Sequence, residues 1–114
     1  NKIFKLVNDR KLNALTINEL ISLINEDGKL IKQLLDIKVA EKSIIILDTS
    51  LIFSNENIDC LIKDINNFFI DNDFLNIKHF KELTGTSRKF AVPLLEYLDK
   101  MNITYRLGNE RKLR

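Results

Sequence analysis

The chain is poor in the residues that interrupt or staple a fold. Three glycines and one proline in 114 residues exclude a collagen-like or low-complexity chain, since both depend on far more turn-forming positions. The single cysteine, Cys60, excludes an internal disulfide and any cysteine-based metal cluster. It falls inside the apolar series Ile58, Leu61, Ile62, Ile65, which predicts packing rather than chemistry for it. No apolar run approaches the about 18 residues that suggest a membrane span, and no charged start leads into an apolar stretch and a small-residue cleavage site. These absences predict a soluble, cytoplasmic protein without a membrane partner. The chain opens on Asn1 rather than Met, so it is expected to be a piece whose upstream part carries other activities.

Catalytic and cofactor signatures are equally scarce. There is no Gly-rich phosphate loop ending in Lys, no Cys/His metal spacing and no Ser, His and acid set. His79 is the sole histidine and sits beside Lys78 on a polar stretch, where it is a surface residue or at most a phosphate contact. Glu26 and Asp27 lie in a turn. The expectation is no catalysis, no metal and no cofactor in this chain.

What the sequence has is a packable core and a lopsided charge. With 45% hydrophobic and 30% charged residues, the chain can bury the core of one ordinary domain or of two very small ones. The net charge of +2 conceals an asymmetry: residues 1–74 hold nine Lys/Arg against twelve Asp/Glu, and residues 75–114 hold nine against four. Positive charge gathered on one small region is the footprint of polyanion binding.

Hydrophobic spacing then predicts a series of amphipathic helices. The first begins with Ile3, Phe4, Leu6 and Val7. The second opens on Thr16 and Glu19, a capping-box pair, and carries Ile17, Leu20, Ile21 and Ile24 on one face until Asn25 to Gly28 stops it. Leu30, Ile31, Leu34 and Leu35 mark a third, and Ile44 to Ile46 and Leu51 to Phe53 form two strands about an Asp48-Thr49-Ser50 turn. The order then restarts. Ile58, Leu61, Ile62, Ile65, Phe68 and Phe69 keep helical spacing until Asp71 to Asp73, and Ile77, Phe80 and Leu83 mark a short helix. A longer helix runs from about Ser87 to Met101, with Phe90, Leu94, Leu95, Leu98 and Met101 inward. A hairpin of Ile103 to Leu107 and Glu110 to Arg114 turns on Gly108-Asn109.

Corresponding features recur at nearly constant separation: Thr16 and Asn76, Ser43 and Ile103, Leu51 and Glu110. A period of that size implies a duplicated domain. The predicted fold is mostly α with small β hairpins, two tandem winged-helix domains at residues 1–54 and 55–114. The competing reading is one all-helical domain in which the hairpins are loops.

Two constellations suit an anionic ligand. In Gly85-Thr86-Ser87-Arg88-Lys89, Thr86 or Ser87 can cap a helix whose first N–H groups face outward, and Arg88 and Lys89 add charge where a phosphate would lie. These cations oppose the helix dipole at a cost of a few tenths of a kcal/mol each, roughly, which a bound anion would offset. Pro93 removes the helical bond to the Lys89 carbonyl. In the closing hairpin, a Gly108-Asn109 turn puts Arg106 directly across from Arg111, a like-charge pair that a polyanion would relieve. The equivalent hairpin of the first copy, Ser43 to Ser54, has no basic residue.

The stretch from Phe80 to Arg114, with Gly85 to Asp99 and Thr104 to Arg114 at its heart, resembles the C-terminal end of the bacterial selenocysteine-specific elongation factors (SelB). Residues 1–79 resemble that family only in element order and length. The resemblance implies an RNA-binding module of a translation factor that is elsewhere a GTPase and meets the ribosome. Its partner would be the selenocysteine insertion hairpin of an mRNA, with Ser87, Arg88, Lys89, Arg106 and Arg111 facing RNA, in a monomer. Tyr105 and Asn109 depart from the Arg and Asp expected there. Two other readings use the same charges: a winged-helix DNA-binding transcription regulator, and a protein-interaction module, the latter fitting the acidic first copy.

Overall fold

The computed structural model describes residues 2–114. The chain divides into two compact units, residues 1–58 and 59–114. In unit 1, helix α1 (Lys2–Asp9) leads to the two-residue strand β1 (Leu15–Thr16), then α2 (Ile17–Ile24), α3 (Gly28–Ala40), β2 (Ile44–Leu47) and β3 (Leu51–Ser54). Helix α4 (Asn55–Asp71) starts in unit 1 and supplies the first helix of unit 2. Then come α5 (Ile77–Thr84), α6 (Arg88–Lys100), β4 (Thr104–Leu107) and β5 (Glu110–Leu113). The fold is α+β.

Local chemistry explains the boundaries. Thr16 caps α2 and Glu19 returns the bond to the Thr16 N–H, a complete capping box. Asn25 ends α2 in the left-handed region at φ 58°, and Gly85 ends α5 in the same way at φ 73°; small amide side chains and glycine tolerate that region best. Asn76 caps α5 by accepting from the His79 N–H. The two hairpins turn differently. Asp48 and Thr49 both have positive φ, as a type I′ turn needs, whereas in the second hairpin Gly108 supplies the positive φ.

In unit 1, Ile3, Val7, Leu15, Leu20, Ile31, Leu35, Ile44 and Ile52 form one buried cluster. The short β1 pairs antiparallel with β3, and β3 with β2, giving the strand order β1-β3-β2. In unit 2, Leu61, Ile65, Leu75, Phe80, Ala91, Leu94, Leu95 and Leu98 are buried, and β4 pairs antiparallel with β5. Leu75 there exchanges both backbone bonds with Arg111.

The period seen in the sequence extends to atomic detail. The caps Thr16 and Asn76, the helix ends Asn25 and Gly85, and the 13-residue helices α3 and α6 all recur 60 positions apart.

The division falls after Ile58 because Ser54 and Asn57 are buried and bonded to Asn8, which ties the first turn of α4 to unit 1. Two expectations need correction. Met101 is 53% exposed, since α6 ends at Lys100 and Met101 is already its cap. Cys60 is exposed, because it lies about 200° around the helix from the buried Ile58 at about 100° per residue.

Candidate nucleic-acid interface

The interface is built on unit 2, from the start of α5, the start of α6 and the β4–β5 hairpin. Ser87 is the N-cap of α6, extended at φ −87° and ψ 165°, and its side chain makes no capping bond. Its carbonyl instead takes the Phe90 and Ala91 N–H groups, while the N–H groups of Arg88 and Lys89 precede the helical ladder. Ser87, Arg88 and Lys89 are all exposed. Thr86, beside them, is buried and does not serve as the cap.

The α5–α6 junction explains this presentation. Gly85 reverses the chain at φ 73° with nothing near the position a Cβ would take, and only Thr86 lies between it and the Ser87 cap of α6. On α6, Arg88, Val92, Leu95 and Glu96 fall on one face by helical spacing. Pro93 is buried inside the helix and denies the Lys89 carbonyl its helical donor. Lys89 extends its ammonium over the Phe90 ring, 5.3 Å from the centroid.

The predicted hairpin register holds: Arg106 stands opposite Arg111 and Leu107 opposite Glu110. The two arginines nevertheless have opposite fates. Arg106 is exposed and donates from Nε to the Gly108 carbonyl at 2.8 Å. Arg111 was expected to stand out beside it, yet its side chain is only 10% exposed and paired with Asp99. Both Nε and Nη2 lie 3.2 Å from Asp99 Oδ2, while Asp99 Oδ1 accepts from the buried Thr104 hydroxyl at 2.6 Å.

A groove of about 640 Å³ joins these parts, lined among others by Asn76, Lys78, Arg88, Glu96, Arg106 and Arg111. It brings together three of the five residues expected to bind RNA. Ser87 and Lys89 do not line it. Sequence reasoning passed over Lys78 and Glu96 as lining residues. The spacing of Glu96 from Arg88, eight positions on the same helix, was a usable signal; nothing local marked Lys78, which reaches the groove through packing of α5 beside α6. Among the described residues there is no cluster of His, Cys, Asp and Glu able to hold a metal, and no helix is long and apolar enough to cross a membrane.

Three helices followed by an antiparallel hairpin, with cations on the third helix and on the hairpin, make this a winged-helix protein. Residues 67–113 match the family described as "Elongation factor SelB, winged helix". The selenocysteine-specific elongation factor of Desulfomicrobium baculatum is 34% identical over 103 residues, covering 90% of this chain. The chain spans 14% of that relative's length. Among solved structures, the mRNA-binding domain of elongation factor SelB from E. coli, in complex with SECIS RNA, is similar with a TM-score of 0.85 over 99% of this chain and 92% of that one. At 19% identity that match bears on the fold. A bacterial selenocysteine-specific elongation factor, EF-Sec, is similar with a TM-score of 0.77 and 28% identity, over 99% of this chain and 18% of that one. The chain belongs to the SelB family of selenocysteine-specific elongation factors, as a winged-helix segment of it.

Proposed function

We propose that this chain is the mRNA-binding part of a selenocysteine-specific elongation factor, gripping a selenocysteine insertion hairpin so that the factor acts at an in-frame UGA. The observation that carries the reading is the groove in which Lys78, Arg88 and Arg106 converge from two helices and the hairpin. Each unit is taken as one winged helix, and the second as the reading head, since unit 1 has Asp27 and Gly28 where unit 2 has Ser87 and Arg88. GTP hydrolysis and the ribosome contact are assigned to the parts of the factor beyond this chain. It acts in the cytoplasm as a monomer.

The chemistry favours recognition of a hairpin over a plain duplex. The major groove of A-form RNA is too deep and narrow for a helix to read, so specificity falls to unpaired bases while phosphates supply grip. Ser87 and Lys89 meet the backbone at the start of α6, Arg88 reaches a base from the groove, and Arg106 follows the opposite strand. Glu96 is the acidic side chain on the Arg88 face; it repels phosphate and accepts hydrogen bonds from base edges. A DNA-binding regulator would employ the same cations, but the relatives are translation factors, which favours RNA.

Competition binding tests the reading: a selenocysteine insertion hairpin, the same hairpin with an altered loop, and a duplex DNA of equal length, each across a salt series. The expected result is preference for the first RNA and affinity falling steeply with salt, as several counterions are released. Equal affinity for the DNA, or a flat salt response, overturns it.

A further inference from the structure

We infer that Arg111 is a positioning residue and not an RNA contact: paired with Asp99 and Thr104, it braces the hairpin against the C-terminal end of α6 and so holds Arg106 at the groove. The inference rests on the reading of the groove as an RNA site.

The repeat provides the comparison that carries it. The unit 1 positions equivalent to Asp99, Thr104 and Arg111 are Val39, Ile44 and Ile52. Ile44 and Ile52 are buried in the apolar core of unit 1, while Val39 is 41% exposed, so these positions give the hairpin there no polar side-chain tie to the helix end. Unit 2 replaces all three together with groups that satisfy one another. Asp99 uses one oxygen for the guanidinium and the other for the Thr104 hydroxyl. Arg111 also exchanges its backbone bonds with Leu75, 2.9 and 2.8 Å long, so the residue is fixed at main chain and side chain alike.

A part-buried ion pair is a poor way to gain stability, because desolvation offsets much of the Coulombic gain. What it supplies is direction. Apolar attraction is non-directional, whereas a guanidinium on one carboxylate oxygen, with a hydroxyl on the other, fixes the angle between strand and helix end. Neutralising Arg111 also removes the like-charge opposition to Arg106 across the ladder, leaving Arg106 as the exposed cation of that cross-strand pair.

The two roles for Arg111 predict opposite signs in one experiment. Asp99→Asn deletes a negative charge from an RNA-binding unit and frees Arg111. If Arg111 contacts phosphate, affinity for the insertion hairpin stays the same or rises. If Arg111 braces the hairpin, affinity falls, by about tenfold for loosening one anchored cation. The slope of log affinity against log salt then does not steepen, because the freed Arg111 gains no phosphate contact. Amide hydrogen exchange of Tyr105 to Lys112, measured without RNA, is expected to speed up in the same variant. A second variant, Asp99→Val with Thr104→Ile and Arg111→Ile, imports the unit 1 residues; it is expected to keep the parent's salt slope. Unchanged or tighter binding in Asp99→Asn overturns the inference, as does a slope lowered by about one in the triple variant. Should the parent chain itself not bind the hairpin, the RNA reading fails, and the exchange rates still decide whether Asp99 and Arg111 hold the strands.

Discussion

Ile52 and Arg111 occupy the same place in the two units: each lies on the returning strand, each is buried, and each pairs antiparallel with a leucine, Leu15 or Leu75, that precedes a capped helix. An isoleucine and an arginine filling one structural role implies different neighbours, and Asp99 is that difference. Asp99→Ala is therefore expected to destabilise unit 2 by on the order of 1–3 kcal/mol, for loss of charged hydrogen bonds to a side chain with little access to water. Val39→Ala, at the more exposed equivalent position, is expected to cost less. Urea denaturation followed by circular dichroism compares the two.

Arg88 and Lys89 are neighbours on the first turn of α6 but only Arg88 lines the groove. Arg88→Ala is expected to cost about 1–3 kcal/mol on the insertion hairpin and to narrow its preference over a loop-altered RNA. Lys89→Ala is expected to weaken both RNAs alike and to lower the salt slope by about one. Filter binding at several salt concentrations distinguishes the patterns; equal loss on both RNAs for Arg88→Ala would make it a phosphate contact.

Helix capping separates stability from binding. The Thr16 hydroxyl accepts from the Glu19 N–H at 3.1 Å, so Thr16→Ala is expected to cost about 1 kcal/mol of stability. Ser87 makes no such bond, so Ser87→Ala is expected to leave the melting temperature nearly unchanged and to show itself in RNA affinity. A large loss of stability from Ser87→Ala would contradict this.

Gly85 has space for a side chain but not the backbone angle for one. Gly85→Ala is expected to destabilise by roughly 1 kcal/mol through left-handed strain alone. Gly85→Asn is expected to cost less, since Asn25 holds the equivalent position at φ 58°. Thermal unfolding of both variants checks the order.

The sequence carried the helix starts and stops and the hairpin register because each is written in local spacing: Thr16 with Glu19, Gly85 after α5, Gly108 at the turn. The place of Arg88 at the start of α6 was legible for the same reason. The fate of Arg111 was not, because alternation puts it on the same face as Arg106 and says nothing of a carboxylate twelve residues earlier on another element. The strand β1 was missed as well; two residues carry no alternation, and what makes Leu15 and Thr16 a strand is the pairing with β3 beside them. Cys60 shows the opposite error, where membership of an apolar run outweighed the angle between neighbours on a helix.

The recurrence at 60 positions has a practical yield. A probe or isotope label placed at Asn25 and at Gly85, or at Gly28 and at Arg88, reports on two matching positions in the helix pattern within a single molecule. Temperature, buffer and concentration are then shared by construction. Unit 1 thus serves as an internal reference against which any RNA-induced signal in unit 2 is read, with no second sample to match.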